Sequence, residues 1–174
     1  MAQTFDLQER LIRLTGLWVL AAGSMAAGEA CYMHLHQAQP RMVDVGMSAG
    51  LSAAFFALFA YLWLRTGPMA LMRASWIGFY VALFGLALPA WYYSYVGWRD
   101  PANSLVETYP PTSAALLPLF LALIVLLRPQ RMFAIALACW LLVAAPILAY
   151  LLAHPLELQT PRGRELLVTL GPVA

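Results

Sequence analysis

Long apolar runs separated by short polar segments make up most of the chain. Five of these runs are complete: Leu14–Met33, Met47–Leu64, Trp76–Gly97, Ser113–Leu127 and Met132–Ala153. A helix needs about 20 apolar residues to cross a hydrocarbon core of about 30 Å, and every run except the short fourth comes near that length. The runs are continuously apolar and lack the alternation of barrel strands, so the pattern predicts membrane-spanning helices.

A sixth apolar run, Leu166–Ala174, is only nine residues long, about half of what a span needs. Because no charged residue follows this run, we expect the chain to be truncated before a cytoplasmic output domain. We therefore predict an all-α integral membrane helical bundle with five full transmembrane helices and a partial sixth. Residues 1–174 would form a single transmembrane domain. The alternative is that the last run is a short tail lying on the bundle.

The composition supports this prediction and excludes other classes. Hydrophobic residues make up 63% of the chain and charged residues 10%, whereas a soluble domain is roughly half apolar and about a quarter charged. With only two cysteines, Cys31 and Cys139, the chain is not a disulfide scaffold. A net charge of +2 without a run of like charges gives no sign of a nucleic-acid partner, so the lipid bilayer is the first expected partner.

The arginines predict the orientation in the membrane. Arg residues are enriched in cytoplasmic loops of membrane proteins. The side that holds the N-terminus collects six arginines and the opposite side four: Arg10, Arg13, Arg65, Arg73, Arg128 and Arg131, against Arg41, Arg99, Arg162 and Arg164. This bias predicts a cytoplasmic N-terminus. The four-residue link Arg128–Arg131 predicts that the fourth and fifth spans form an antiparallel hairpin.

Glu29 is the only ionisable residue well inside a predicted span. An ionised carboxylate in hydrocarbon costs a few kcal/mol even on lenient insertion scales, and such residues mark functional positions by default. We expect a small ligand-binding cavity in the outer half of the bundle, with Glu29 on its wall. The other candidate lining residues are His36, Tyr92, Tyr95 and Tyr150. The alternative is a carboxyl that is hydrogen-bonded within the bundle and only stabilises helix packing.

Candidate metal ligands follow Glu29 in the sequence. Cys31, Met33, His34 and His36 all carry side chains that bind transition metals or haem. On a continuous helix, Glu29, Met33 and His36 share one face. No ligand spacing recurs elsewhere in the chain, so no particular cofactor is predicted. The sequence also contains no phosphate-binding loop, H-E-x-x-H motif or G-x-S-x-G motif, so no catalytic site is predicted within these residues.

Prolines interrupt three of the predicted spans, at Pro89, Pro118 and Pro146. Each removes a backbone donor and frees the carbonyl four residues earlier, so a kink is expected at each position. Ordinary membrane helices tolerate such prolines when a neighbour satisfies the freed carbonyl. The functional alternative is a flexible or cavity-lining kink in a sensor.

The second half of the chain carries loop and proline motifs of a known family. The motifs are Glu107-Thr-Tyr-Pro-Pro, Leu127-Arg128-Pro129, Trp140 with Pro146, His154-Pro155 with Leu158-Gln-Thr-Pro-Arg-Gly163, and Leu170-Gly171-Pro172. Over residues 105–174 the chain resembles the N-terminal membrane region of bacterial GGDEF proteins, which are membrane-anchored diguanylate cyclases. In that family about six helices precede a cytoplasmic catalytic domain.

The resemblance implies a sensory or anchoring input module for cyclic-di-GMP signal transduction in the bacterial inner (cytoplasmic) membrane. It also implies a homodimer and a cytoplasmic GGDEF domain in the same parent chain, which would make cyclic di-GMP from two GTP. No G-G-[DE]-E-F motif occurs in these residues, so no catalytic residue is carried over. The alternative function is a complete small membrane protein that binds haem or a metal, or a structural subunit of a membrane complex.

Overall fold

A computed structural model describes residues 2–38, 40–100, 103–109 and 129–170 of the chain. Within these ranges the chain is helical and contains no strand. The helices are α1 (Ala2–Leu35), α2 (Met42–Leu64), α3 (Pro68–Arg99), α4 (Leu105–Thr108), α5 (Pro129–Ala153), α6 (Pro155–Leu158) and α7 (Pro161–Thr169). The prediction of an all-α chain is confirmed for these residues.

Four described helices are long and apolar enough to cross a membrane: Arg10–Leu35 in α1, Met42–Leu64, Pro68–Arg99 and Phe133–Ala153 in α5. They correspond to the first, second, third and fifth predicted spans. The predicted fourth span, Ser113–Leu127, lies outside the described residues, so four full spans are observed rather than five. This is the architecture of a membrane protein.

The helices extend further than the apolar runs that predicted them. The third predicted span starts at Trp76, but α3 starts at Pro68, directly after Gly67 with its φ of +105°. Glycine adopts such a backbone angle without a steric penalty, and proline is favoured in the first turn of a helix. Hydropathy marks where a helix meets lipid, whereas the helix itself begins where the backbone permits, so the two boundaries differ.

The chain divides into two compact units, Met1–Ala82 and Leu83–Ala174. The first unit contains α1, α2 and the beginning of α3. Its core is formed by Leu20, Leu58, Leu62 and Ala74. The second unit contains the end of α3 and the helices that follow.

Small residues and a serine pair bring α1 against α2 in the first unit. A Cβ atom added at Gly23 would lie 3.2 Å from the Phe55 ring, so this glycine permits the close approach of the two helices. The Ser52 hydroxyl donates a hydrogen bond of 2.8 Å to the Ser24 carbonyl, and the Ser24 hydroxyl donates one of 3.1 Å to the Ser52 carbonyl. Close backbones and hydroxyl hydrogen bonds are typical of helix pairs in membranes.

In the second unit, the proline in α5 is matched by a donor from α3. Pro146 has no backbone N–H to donate to the Leu142 carbonyl, four residues earlier. The indole Nε1 of Trp91 donates to that oxygen at 2.9 Å. A neighbouring helix therefore satisfies the carbonyl that Pro146 leaves without its backbone donor, as is usual for a proline within a membrane helix.

Candidate functional site

Tyr150 forms the centre of a polar cluster near the end of α5. Its side chain is 1% exposed, and its hydroxyl donates a hydrogen bond of 2.6 Å to Oε1 of Glu157. The His154 ring stacks on the Tyr150 ring at 4.2 Å, and the Trp98 ring meets both of these rings edge-on. A glycine makes room for this arrangement, since a Cβ atom at Gly97 would lie 2.7 Å from the Tyr150 ring.

Glu157 joins three segments of the second unit through its carboxylate. Oε1 accepts from Tyr150 of α5, and Oε2 accepts a hydrogen bond of 2.6 Å from the Ser104 hydroxyl, which precedes α4. Both donors are hydroxyls and the acceptor is a carboxyl group, and hydrogen bonds to a carboxylate are about twice as strong as neutral ones. The carboxylate of α6 therefore links the connection between α3 and α4 to the end of α5.

A second buried tyrosine and an arginine extend the cluster. Tyr109 is 1% exposed, and its hydroxyl donates to the Leu86 carbonyl of α3 at 3.3 Å. Burial raises the pKa of this hydroxyl, so Tyr109 stays neutral. Arg162 of α7 donates to the Tyr109 carbonyl at 3.4 Å and forms an ion pair of 2.7 Å with Glu165. We call Ser104, Tyr109, Tyr150, Glu157 and Arg162 together the polar clamp.

The local sequence explains why the chain folds back at this point. The side chain of Thr160 accepts a hydrogen bond of 3.0 Å from the Gly163 backbone N–H and thereby caps α7, with Pro161 in the first helical position. The same hydroxyl donates to the Glu157 carbonyl at 2.6 Å. Gly163 packs so closely on that carbonyl that an added Cβ atom would overlap it. The start of α7 is thus fixed to the backbone of Glu157.

Helix α7 leads the chain back along the second unit. The indole of Trp140, in the middle of α5, donates a hydrogen bond to the carbonyl of Leu170, directly after α7. Trp140 precedes Tyr150 by about 15 Å along a helix that rises about 1.5 Å per residue. Leu166 and Leu170 are buried, whereas Val168 is 75% exposed. The predicted partial sixth span therefore starts within a short helix that runs back from the end of α5.

The five predicted ligand-binding residues belong to two different units. Glu29 and His36 belong to the first unit, where both side chains are exposed. Glu29 forms no hydrogen bond or ion pair with another described residue. In the second unit, Tyr92 and Tyr95 are also exposed, with Arg99 5.4 Å from the centre of the Tyr95 ring. Tyr150 alone is buried and belongs to the polar clamp, so a cavity lined by Glu29 stays a prediction.

The candidate metal ligands lie around the end of α1 without converging. The Cys31 thiol points to the Val45 carbonyl at 3.8 Å, and the His36 ring nitrogen Nδ1 lies 2.8 Å from the Tyr32 carbonyl. The His34 ring contacts the Gln37 amide, and Met33 is 61% exposed. Among the described residues, no three His, Cys, Asp or Glu side chains are grouped as a metal site requires.

Among the clamp residues, the sequence predicts Tyr150 as a site residue but not Glu157, Ser104 or Arg162. Glu157 and Arg162 lie outside the apolar runs, where hydropathy gives no reason to select a site residue. One available signal was the pair of turn prolines, Pro155 and Pro161, which predicts short helices that fold the loop back onto the bundle. The pairing of Ser104 with Glu157, far apart in sequence, had no local signal.

The polar clamp is an ordered assembly of hydrogen bonds. The Ser104 hydroxyl donates to a carboxylate, and the His154 Nδ1 lies 2.9 Å from the Tyr150 carbonyl. A carboxylate with two hydroxyl donors, an aromatic cluster and an arginine can hold loops together and can respond to a change that removes those bonds. Comparison of the chain with protein-family models, curated proteins and solved structures gave no match.

Proposed function

We propose that the chain is a membrane-embedded sensory or anchoring input module of a cyclic-di-GMP signalling protein. The observation that carries this proposal is the polar clamp at the end of α5. An input module needs an ordered polar assembly outside the apolar part of its helices. This assembly must be linked to the helices, so that a change in it moves them. Glu157 provides this joint, because one carboxylate binds residues of two other segments.

Four of the five clamp residues lie within the part of the chain that resembles the membrane regions of GGDEF proteins, and Ser104 directly precedes it. Tyr109 comes from the Glu107-Thr-Tyr-Pro-Pro motif, and Arg162 from the motif that ends at Gly163. Two of the motifs that carry the resemblance therefore have a structural role among the described residues. They cap α7, bury Tyr109 and position the residues that flank Glu157.

The proposal includes five full spans and the start of a sixth, with a cytoplasmic N-terminus in the bacterial inner membrane. The parent chain would be a homodimer, because two GGDEF domains must meet for the family's reaction. The orientation is tested by cysteine labelling in intact cells, after Cys31→Ser and Cys139→Ala have removed the native thiols. A cysteine at Gln130 should resist a membrane-impermeant reagent, and its labelling from outside would contradict the orientation.

Two experiments test the function itself. The first is to read the coding sequence beyond Ala174, where a G-G-[DE]-E-F motif is expected after the sixth span. The second is to measure cyclic di-GMP in bacteria that express the complete coding sequence, in comparison with a variant whose GGDEF motif is inactivated. A stop codon directly after Ala174, or no change in cyclic di-GMP, would contradict the proposal. Co-purification of haem or a metal would favour the alternative function.

A further inference from the structure

Glu157 links the end of α5 to α7 through both its side chain and its backbone. The carboxylate accepts from Ser104 and Tyr150, at 2.6 Å each. The backbone carbonyl accepts from the Thr160 hydroxyl that caps α7, and Gly163 packs directly on it. A displacement of Glu157 therefore displaces the first turn of α7.

Further hydrogen bonds of α7 lie near its two ends. Near the start, Arg162 donates to the Tyr109 carbonyl at 3.4 Å, a long and therefore weak hydrogen bond. At the far end, Trp140 donates to the Leu170 carbonyl. Between these two positions, Leu166 is buried, while Leu167 is 41% and Val168 is 75% exposed. Helix α7 is thus held by one buried face and by its ends, and the Glu157 end is the one that carries a charged acceptor with two hydroxyl donors.

The two ends of α7 lie at different depths along α5. The Glu157 end is near Tyr150, and the Leu170 end is at Trp140, about 15 Å further along the α5 axis. Phe133–Ala153 is the apolar part of α5 that is long enough to cross a membrane. Trp140 falls well inside this segment, so α7 connects a polar cluster near the end of the span to its interior.

We propose that Glu157 is a latch that holds α7 along α5, and that loss of its bonds to Ser104 and Tyr150 releases α7. Release changes the position of Leu170 relative to Trp140 and so carries a change at the end of α5 into the apolar part of the span. The latch is one element with two arrangements, and an input acts by favouring one of them. The signalling role of the latch rests on the proposed function. The existence of two arrangements of α7 does not depend on that function.

The experiment measures the position of α7 in the full chain. Spin labels are placed at Leu152 and Val168, which are 78% and 75% exposed, after Cys31→Ser and Cys139→Ala. Distances between the labels are measured by pulsed electron paramagnetic resonance in lipid nanodiscs. The unmodified latch should give one narrow distance distribution. In Glu157→Gln the amide NH2 replaces one acceptor oxygen and cannot accept from a hydroxyl.

We expect Glu157→Gln to raise a second distance population about tenfold or more, the effect of losing a hydrogen bond to a charged group. Tyr150→Phe should raise the same population. Glu107→Gln is the matched control, because Glu107 is an exposed carboxylate on α4 without a bond to another described residue. An unchanged distribution in both latch variants, or an equal change in Glu107→Gln, overturns the proposal.

A further variant is used if Glu157→Gln fails to fold, as judged by a loss of its helical circular dichroism signal. Ser104→Ala removes only one of the two bonds to the carboxylate, and an unchanged distribution in this folded variant also overturns the latch. The measured distances do not depend on the activity of a catalytic domain. A normal latch response combined with a stop codon after Ala174 would leave the latch standing and reject the cyclic-di-GMP function, so the two failures are distinguishable.

Discussion

The first unit packs α1 against α2 through glycines and a pair of serines, whereas the second unit is built around the buried rings of Tyr93, Tyr109 and Tyr150. The hydroxyl hydrogen bonds of the first unit join two neighbouring helices. Those of the second unit join four separate segments and use ionised partners. In the first unit Arg13 of α1 donates to the end of α2, whereas in the second unit the carboxylate of Glu157 and the guanidinium of Arg162 connect segments that lie far apart in the sequence.

The two units make different types of contact, so single substitutions should destabilise them by different amounts. Hydrogen bonds between membrane helices contribute on average about 0.6 kcal/mol. Hydrogen bonds to charged groups contribute about 1.5 to 3 kcal/mol, and overpacking a tight contact costs about 1 to 3 kcal/mol. Substitutions in the clamp should therefore perturb the second unit more than equivalent substitutions perturb the first. Hydrogen exchange read by mass spectrometry reports each unit separately, since its peptides can be assigned to either unit.

The largest effect is expected from Gly163→Ala, because the new Cβ atom would overlap the backbone carbonyl of Glu157, which cannot rotate away. We expect a destabilisation of about 3 kcal/mol, seen as faster hydrogen exchange in peptides from residues 150–170. Gly50→Ala is the control, since no atom lies within 4 Å of a Cβ atom at that position. Equal exchange in both variants would show that α7 is not fixed at Gly163.

A smaller effect is expected from Arg13→Ala in the first unit. Arg13 donates to the Leu62 carbonyl at 2.8 Å and so satisfies the end of α2 with a positive charge. Its loss should destabilise the first unit by about 2 kcal/mol, measured by unfolding in mixed detergent micelles. Exchange in the second unit should not change. Arg73→Ala, an exposed arginine, is the control, and an equal loss there would reject the capping role.

Trp91→Phe tests how the second unit accommodates its proline. The substitution removes the indole donor from the Leu142 carbonyl and should cost about 1 kcal/mol. In a Pro146→Ala background the backbone N–H returns and satisfies the same carbonyl, so the cost should fall towards zero. Trp63→Phe serves as a control, because Trp63 is 65% exposed and stacks on Phe59. Additive effects in the double variant would argue against the match between Trp91 and Pro146.

The smallest effect is expected from Ser24→Ala, which removes one hydroxyl from the contact between α1 and α2. The expected cost is about 0.6 kcal/mol, measured by the same micelle titration. Thr15→Ala is the matched control, because the Thr15 hydroxyl bonds to the Leu11 carbonyl within its own helix. A cost in Ser24→Ala that exceeds that of Gly163→Ala would reverse the comparison between the two units.

Individual residues show which features could be predicted from the sequence. Four of the predicted spans coincide with helices that are long enough to cross a membrane, because continuous apolar runs have no other stable state in lipid. Tyr150 was selected as a site residue and lies in the polar clamp. Glu29 was selected because a carboxyl is costly in a span, yet the face on which it stands depends on helix rotation, and its side chain is exposed.

The sequence by itself determined the all-helical state, the positions of four spans and the loss of a backbone donor at Pro146. These properties follow from residues close together in the chain, through hydropathy and the missing proline donor. The tertiary structure alone decided that Ser104 meets Glu157, that Trp91 satisfies Leu142, and that α7 returns to Trp140. Each of these contacts joins residues at least 30 positions apart, and only the packing of the helices selects such partners.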